Sequence, residues 1–93
     1  MKIEILVSFA DKLDQQVEYI AQDKPQAARK FRKDVIAKIK TLKQNPFKCK
    51  KSLYSENENV RDLIFKGYTI TFRVNEAKGL ISVFALRKYE EKN

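Results

Sequence analysis

Arginines, lysines and tyrosines carry whatever chemistry this chain can do, because the other common reactive groups are missing. The sequence has no histidine. The ordinary acid–base group of neutral pH is therefore absent, and Ser-His-Asp and Cys-His machinery is excluded in its usual forms. A lone cysteine, Cys49, leaves no zinc site of the usual kind. Gly67 and Gly79 are the only glycines, so neither G-x-x-x-x-G-K-[ST] nor G-x-G-x-x-G occurs and there is no phosphate loop. Adjacent Glu90 and Glu91 read as a solvated tail, not as a metal site. No metal and no cofactor is expected. What remains is Arg61, Arg73, Arg87, Lys88 and Tyr89, in or just after segments with a strand pattern. Guanidinium and ammonium groups bind phosphates and stabilise charge developing on a phosphoryl group. A tyrosine can stack on a base or, with a lowered pKa, move a proton. Such a set can bind RNA, or cleave it by orienting a 2′-hydroxyl, with Arg61, Arg73, Arg87 and Tyr89 as the catalytic candidates. It can equally be a binding surface without chemistry. Arg61 and Arg73 then pair across strands with an acid such as Asp62 or Glu76, and Tyr89 is a partly buried aromatic closing the sheet end.

The charge is unevenly placed. The net charge is +8, and from Arg29 to Lys51 there are ten Lys or Arg and one acid, Asp34. The rest of the chain holds ten basic and eleven acidic side chains, which nearly cancel. Arg29, Lys30, Arg32, Lys33, Lys48, Lys50 and Lys51, with Lys88 further on, are candidates for binding a polyanion, either nucleic acid or an acidic protein segment. The plainer alternative is a solvated, lysine-rich helix face. No groove-reading motif accompanies the charge.

The elements that position these residues follow from periodicity. Val60–Tyr89 reads as three short strands. Val60–Phe65 leads into a Lys66-Gly67 turn, where Gly supplies a positive φ. Tyr68–Val74 alternates, with Tyr68, Ile70, Phe72 and Val74 on one face and Thr69, Thr71 and Arg73 on the other. The second face is expected to be a partly open polar stripe. After a turn over Asn75–Gly79, Leu80–Leu86 is apolar on both faces apart from Ser82, as in a strand covered on two sides. Upstream, Lys2–Val7 alternates as a half-buried strand with Ile3, Ile5 and Val7 on one face. Ser8 with Asp11 three residues later resembles a capping box, so a helix is expected from about Phe9 to Gln22. Lys24-Pro25 breaks and restarts the chain. A second helix carries an apolar stripe of Ala28, Phe31, Val35, Ile39 and Leu42 and stops by Asn45, before Pro46. Phe47–Asn59 is a connector, which Leu53 and Tyr54 can anchor to the core. The expected fold is α+β: an N-terminal strand, an α-helical hairpin and a three-stranded antiparallel meander (β-α-α-β-β-β), with the helices on one face of the sheet.

Ninety-three residues are expected to form one domain over residues 1–93, with a single modest core. No run of about 18 apolar residues exists for a membrane span. The N-terminus MKIEILVSFADK does not read as a signal peptide. With one cysteine and no possible internal disulfide, a cytoplasmic protein is expected.

Four segments carry a family likeness. EYIAQDKPQAARKF and IAKIKTLKQNPF resemble the helical hairpin of the RelE/ParE superfamily of bacterial toxins. VRDLIFKGYTITFRV resembles its strand pair, in which an Arg opens one strand and a Gly-Tyr turn leads into the next, and ISVFALRKY resembles its last strand and basic end. The likeness covers nearly the whole chain, in order. It implies a toxin of a type II toxin–antitoxin pair, neutralised by direct binding of a cognate antitoxin in a hetero-oligomer, with no membrane involved. RelE-like members cleave mRNA in the ribosome, whereas ParE-like members poison DNA gyrase. The Lys-Pro break and the Ala-Ala-Arg-Lys-Phe start of the second helix look closer to ParE. Thr69 stands where RelE-like nucleases tend to have a basic residue, and the Arg87-Lys88-Tyr89 end lacks the His of some relatives. The resemblance therefore points to gyrase inhibition, with a ribosome-dependent mRNA endonuclease as the alternative and a non-toxic basic nucleic-acid-binding domain third.

Overall fold

The computed structural model describes residues 1–89; Glu90 and Glu91 lie outside the described residues. Lys2–Ile5 forms β1 and Val7–Ala21 forms α1. The strand stops two residues earlier than the alternation suggests, and Val7 opens the helix instead. The Ser8 cap is not made, since Leu6 precedes the helix and no side chain bonds its first turn. Ser8 Oγ donates to the Phe84 carbonyl at 2.6 Å instead. The last contact of the departing β1 backbone is the Leu6 N–H on the Val83 carbonyl, at 2.9 Å. The next outward carbonyl, that of Phe84, has no strand beside it, and a carbonyl left unpaired is costly.

Pro25–Lys40 forms α2, with Pro at its start where no N–H is needed. Two 3₁₀ turns, Thr41–Lys43 and Pro46–Lys48, follow it. Ala28, Phe31, Val35, Ile39 and Leu42 are all buried, as their spacing requires. Lys50–Lys51 is a two-residue strand, β2; Val60–Phe65, Tyr68–Asn75 and Leu80–Lys88 are β3, β4 and β5. The sheet has five strands in the order β1-β5-β4-β3-β2. The expected three-stranded antiparallel meander is thus only its middle. The helical hairpin returns the chain so that β1 lies parallel to β5, while the other pairs are antiparallel. Within the connector, Lys50 and Lys51 pair with Asp62 and Arg61 on the outer edge of β3.

One apolar cluster joins the layers: Phe9 and Leu13 from α1, the α2 stripe, Ile70, Phe72 and Val74 from β4, and Ile81, Val83 and Leu86 from β5. Each fully buried side chain such as Phe9 or Phe72 contributes about 1.5–3 kcal/mol over exposure. The step from Val83 to Leu86 breaks the two-residue period. A β-bulge causes it: Thr71 pairs with Ala85 and Phe72 with Val83, so Phe84 is the extra residue. The two-sided apolar look of this strand comes from that bulge.

The other face of the sheet is not an open polar stripe. Thr69 and Thr71 are buried, and only Arg73 of the three is exposed. Asp62, 3% exposed, sits beside Thr71 in the β3–β4 register. Thr71 Oγ1 donates to Asp62 Oδ1 at 2.8 Å, and the Leu53 N–H reaches Oδ2 at 3.3 Å. The Ser52 N–H bonds the Val60 carbonyl at 2.9 Å. The connector is therefore fixed by backbone and by buried Ser52. The side chains of Leu53 and Tyr54 do not anchor it in the core, and Leu53 is 78% exposed.

Lys66 and Gly67 make the β3–β4 turn with φ of 51° and 81°, the positive pair of a type I′ hairpin. Lys66 Nζ reaches Asp34 Oδ2 on α2 at 2.6 Å, and Lys30 Nζ reaches the same oxygen at 2.9 Å. The Lys66 hydrogen bond, and then that of Lys30, holds the Asp34 carboxyl at about 2, below its ordinary 3.8. A lowered folded pKa means that this stabilisation is present above the ordinary value and lost as pH falls through about 2.

Two predictions follow from these ties. Thr71→Val leaves the buried Asp62 carboxylate short of a donor, and should cost about 1–3 kcal/mol in urea denaturation; an unchanged midpoint would show that Asp62 does not depend on Thr71. Asp34→Asn should flatten the acid-unfolding curve between about pH 4 and 2, followed by circular dichroism. Superimposable curves for the two proteins would remove Asp34 from acid stability.

Candidate functional site

Arg87 lies on the sheet face away from the core, because its neighbour Leu86 points inward. Its Nη1 donates to Thr71 Oγ1 at 3.0 Å, and its guanidinium stacks over the Tyr54 ring, 4.1 Å from the centroid. The hydroxyl of Thr71 thus accepts from Arg87 and donates to Asp62. Arg61 projects from the opposite side of β3 to Asp62. Its Nε donates to the Glu58 carbonyl at 2.9 Å, and its Nη1 to the carbonyls of Cys49 at 3.0 Å and Phe47 at 3.4 Å. Its guanidinium also lies 4.9 Å from the Phe47 ring centre. Arg61 clasps the connector to the sheet edge. Among the described residues neither Arg61 nor Arg73 pairs with Asp62 or Glu76. Arg73, exposed, lies four residues along β4 from Thr69, which faces Arg87 in register, so the two arginines are about 13 Å apart along the strand. Tyr89 is exposed and follows β5, its N–H on the Gly67 carbonyl at 2.8 Å. The structure brings Arg87 together with Thr71, Asp62 and Tyr54, and leaves Tyr89 two residues further on. Arg73 is apart, and Arg61 is on the other face.

The basic candidates divide into paired and free. Lys30 pairs with Asp34 at 2.9 Å, Arg32 with Asp14 of α1 at 2.7 Å, and Lys51 with Glu58 at 3.1 Å. Arg29, Lys33, Lys48, Lys50 and Lys88 are exposed and have no ion pair among the described residues. Cys49 is half-buried and burial pushes its thiol pKa up, which makes it a poor nucleophile. Among the described residues no three metal-ligating side chains gather at one point.

A groove that the sequence does not announce runs between α1 and the second half of β5. Its volume is about 660 Å³, with Ser8, Lys12 and Tyr19 on one wall, Phe84–Lys88 on the other, and Tyr68 between. Tyr68 stacks on Phe31 at 5.2 Å, and burial, then the proximity of Tyr19, raises its pKa, so it is no base at neutral pH. The β1 strand ends opposite Val83, so nothing pairs with β5 beyond that point. Thr71, Thr69 and Gly67 face Ala85, Arg87 and Tyr89 across the β4 side, and by alternation the backbone groups of Leu86 and Lys88 point outward into the groove. Tyr54 and Asp62 are the other residues the sequence reading passed over as site members. The signals were present: an acid inside an apolar strand, and a tyrosine in the polar part of the connector.

The family model for "ParE toxin of type II toxin-antitoxin system, parDE" matches residues 3–92. A solved structure described as "Chromosomal ParDE TA system from P. aeruginosa" is similar with a TM-score of 0.80 and 22% identity, over 97% of this chain and 97% of that one. At that identity the likeness is one of fold. A sequence comparison with curated proteins gives no match. No helix among the described residues is long and apolar enough to cross a membrane. The family match runs from the first strand to the basic end, through both helices and all the strands that build the groove and the Arg87 cluster: this chain belongs to the ParE toxin family of type II toxin–antitoxin systems.

Proposed function

We propose that the chain is a cytoplasmic toxin that inhibits DNA gyrase by binding it, and that a cognate antitoxin neutralises it in a hetero-oligomer. The observation that carries this reading is the family match over residues 3–92. The arrangement of the cationic groups supports a binding mode over chemistry. Arg61 is committed to three backbone carbonyls and Arg87 to Thr71 and Tyr54, while Arg73 stands apart. A transition-state clamp needs several such groups converging on one phosphoryl group. One feature favours the alternative of a ribosome-dependent mRNA endonuclease: Arg87 and Tyr89 are spaced to share a strand face.

The groove beside β5 supports antitoxin capture. An extended segment can add to an open strand edge through main-chain hydrogen bonds, while side chains fill the neighbouring apolar sites. Leu86 and Lys88 offer those bonds, and Tyr19 and Phe84 offer apolar surface.

Purified toxin should inhibit gyrase supercoiling with no ribosome present, and pulse-labelled protein synthesis should continue at first in cells that express it. Unchanged supercoiling, with mRNA cut at codons and an immediate fall in pulse-labelled protein, would replace gyrase with the ribosome. For the antitoxin, Lys88→Pro removes an outward N–H without touching the β4–β5 ladder. It should raise the antitoxin Kd by roughly 2- to 10-fold, the effect of one hydrogen bond of about 0.5–1.5 kcal/mol. An unchanged Kd in titration calorimetry would place the antitoxin elsewhere.

A further inference from the structure

The basic segment holds a second surface, separate from the groove and independent of the gyrase reading. On α2, Arg29, Lys33 and Lys40 fall within about 40° of one another around the helix axis. They face away from the buried stripe, are exposed, and span about 16 Å along the axis. Lys43, in the 3₁₀ turn after α2, continues the line. On the flanks, Lys30 and Arg32 are neutralised by Asp34 and Asp14. Among the described residues Arg29, Lys33 and Lys40 on the outward stripe have no ion pair, whereas Lys38, the other unpaired cation of α2, lies on another side of the helix with its Nζ 5.8 Å from the Phe65 ring centre.

What the stripe lacks identifies its partner. Tyr19, Tyr54, Ile64 and every other exposed large hydrophobic side chain among the described residues lie outside residues 25–51. A protein partner needs apolar or aromatic anchors at the centre of its interface. Single-stranded nucleic acid needs aromatic faces for its bases to stack on. A row of cations with neither fits the phosphate backbone of a duplex. An α-helix is about 10–12 Å across, which suits the B-form major groove of about 12 Å. The major groove of A-form RNA is too narrow for it. We infer that the outer stripe of α2, continued by Lys43, is a binding surface for the phosphate backbone of duplex DNA, without base readout. It lies away from the α1–β5 groove, so a toxin whose groove is filled by another protein keeps it free.

The test is fluorescence anisotropy of a 30-base-pair DNA of arbitrary sequence between about 50 and 200 mM salt, where phosphate binding is salt-dependent. Each phosphate contact contributes about 0.9 to the slope of log K against log salt. The triple variant Arg29→Gln, Lys33→Gln, Lys40→Gln should lower that slope by about 2.7. The variant Lys2→Gln, Lys24→Gln, Lys78→Gln removes the same charge elsewhere and should change it far less. The single Lys33→Gln should lower it by about 0.9, and provides the same reading if the triple does not fold. Equal slopes for the two triple variants would reduce the effect to net charge and overturn the assignment. So would tighter binding of single-stranded DNA or duplex RNA, or no binding of duplex DNA at low salt. The triple variant in the supercoiling assay separates the two readings: inhibition that persists without DNA binding belongs to gyrase, so the two fail separately.

Discussion

The buried carboxylate of Asp62 sets the arrangement of the sheet face away from the helices. A charged group removed from water is costly unless hydrogen bonds replace its hydration. Two groups do so, and both belong to other segments: the Thr71 hydroxyl on β4 and the Leu53 N–H in the connector. Satisfying Asp62 therefore fixes the connector across the sheet edge and places Tyr54 where Arg87 can stack on it. Threonine suits position 71 because a hydroxyl donates and accepts at once. It gives its proton to Asp62 and takes one from Arg87, so an anion and a cation share one small group. Valine would fill the same space and satisfy neither.

A second constraint comes from the length of β1. Four residues cover only the first half of β5, and the bulge at Phe84 follows directly. Open edges invite further strands, and proteins commonly guard them with charge or with short strands. The outer edge of β3 is guarded in both ways. Two-residue β2 covers its start, and a cavity of about 560 Å³ beyond it has Lys38 and Lys48 in its lining. The edge of β5 from Leu86 onward has no strand beside it, and Lys12 and Lys88 are among the residues that line its groove. It faces Tyr19 and Tyr68 across a groove. This edge combines free backbone groups with the apolar surface of Tyr19 and Phe84, which is the physical basis for the proposed antitoxin site.

Where periodicity was strong, the sequence was legible. The α2 stripe, the Lys66-Gly67 hairpin and the inward residues of β4 lie where the spacing puts them. Failures came where a long-range partner competed with a local pattern. Ser8 looked like a cap because Asp11 follows it, yet the unpaired Phe84 carbonyl, 76 residues away, takes its hydroxyl. Thr69 and Thr71 looked solvent-facing because they are polar, yet Asp62 and Arg87 supply partners that let Thr71 be buried. Lys50 and Lys51 looked like loop because two residues carry no period. The groove was illegible for a related reason, since it is made by what stops, β1, and not by any residue pattern. The family likeness, by contrast, was readable from the order of the elements.

The fates of the arginines show how residue type under-determines role. All three lie in strands, and composition alone makes each a phosphate ligand. Geometry separates them. Arg61 donates Nε and Nη1 to three carbonyls of the connector, so it is held to the loop and only Nη2 is left to meet a phosphate. Arg87 can present the face opposite Tyr54 without leaving Thr71, which suits recognition more than a group that must follow a moving charge. Of these three, only Arg73 is exposed without a partner among the described residues, and it is too far along β4 to act on the same atom as Arg87. A surface built in this way holds its cations in fixed, mutually independent positions. That arrangement favours reading an extended partner at several points over concentrating charge on one, and so favours a toxin that binds its target over one that cuts it.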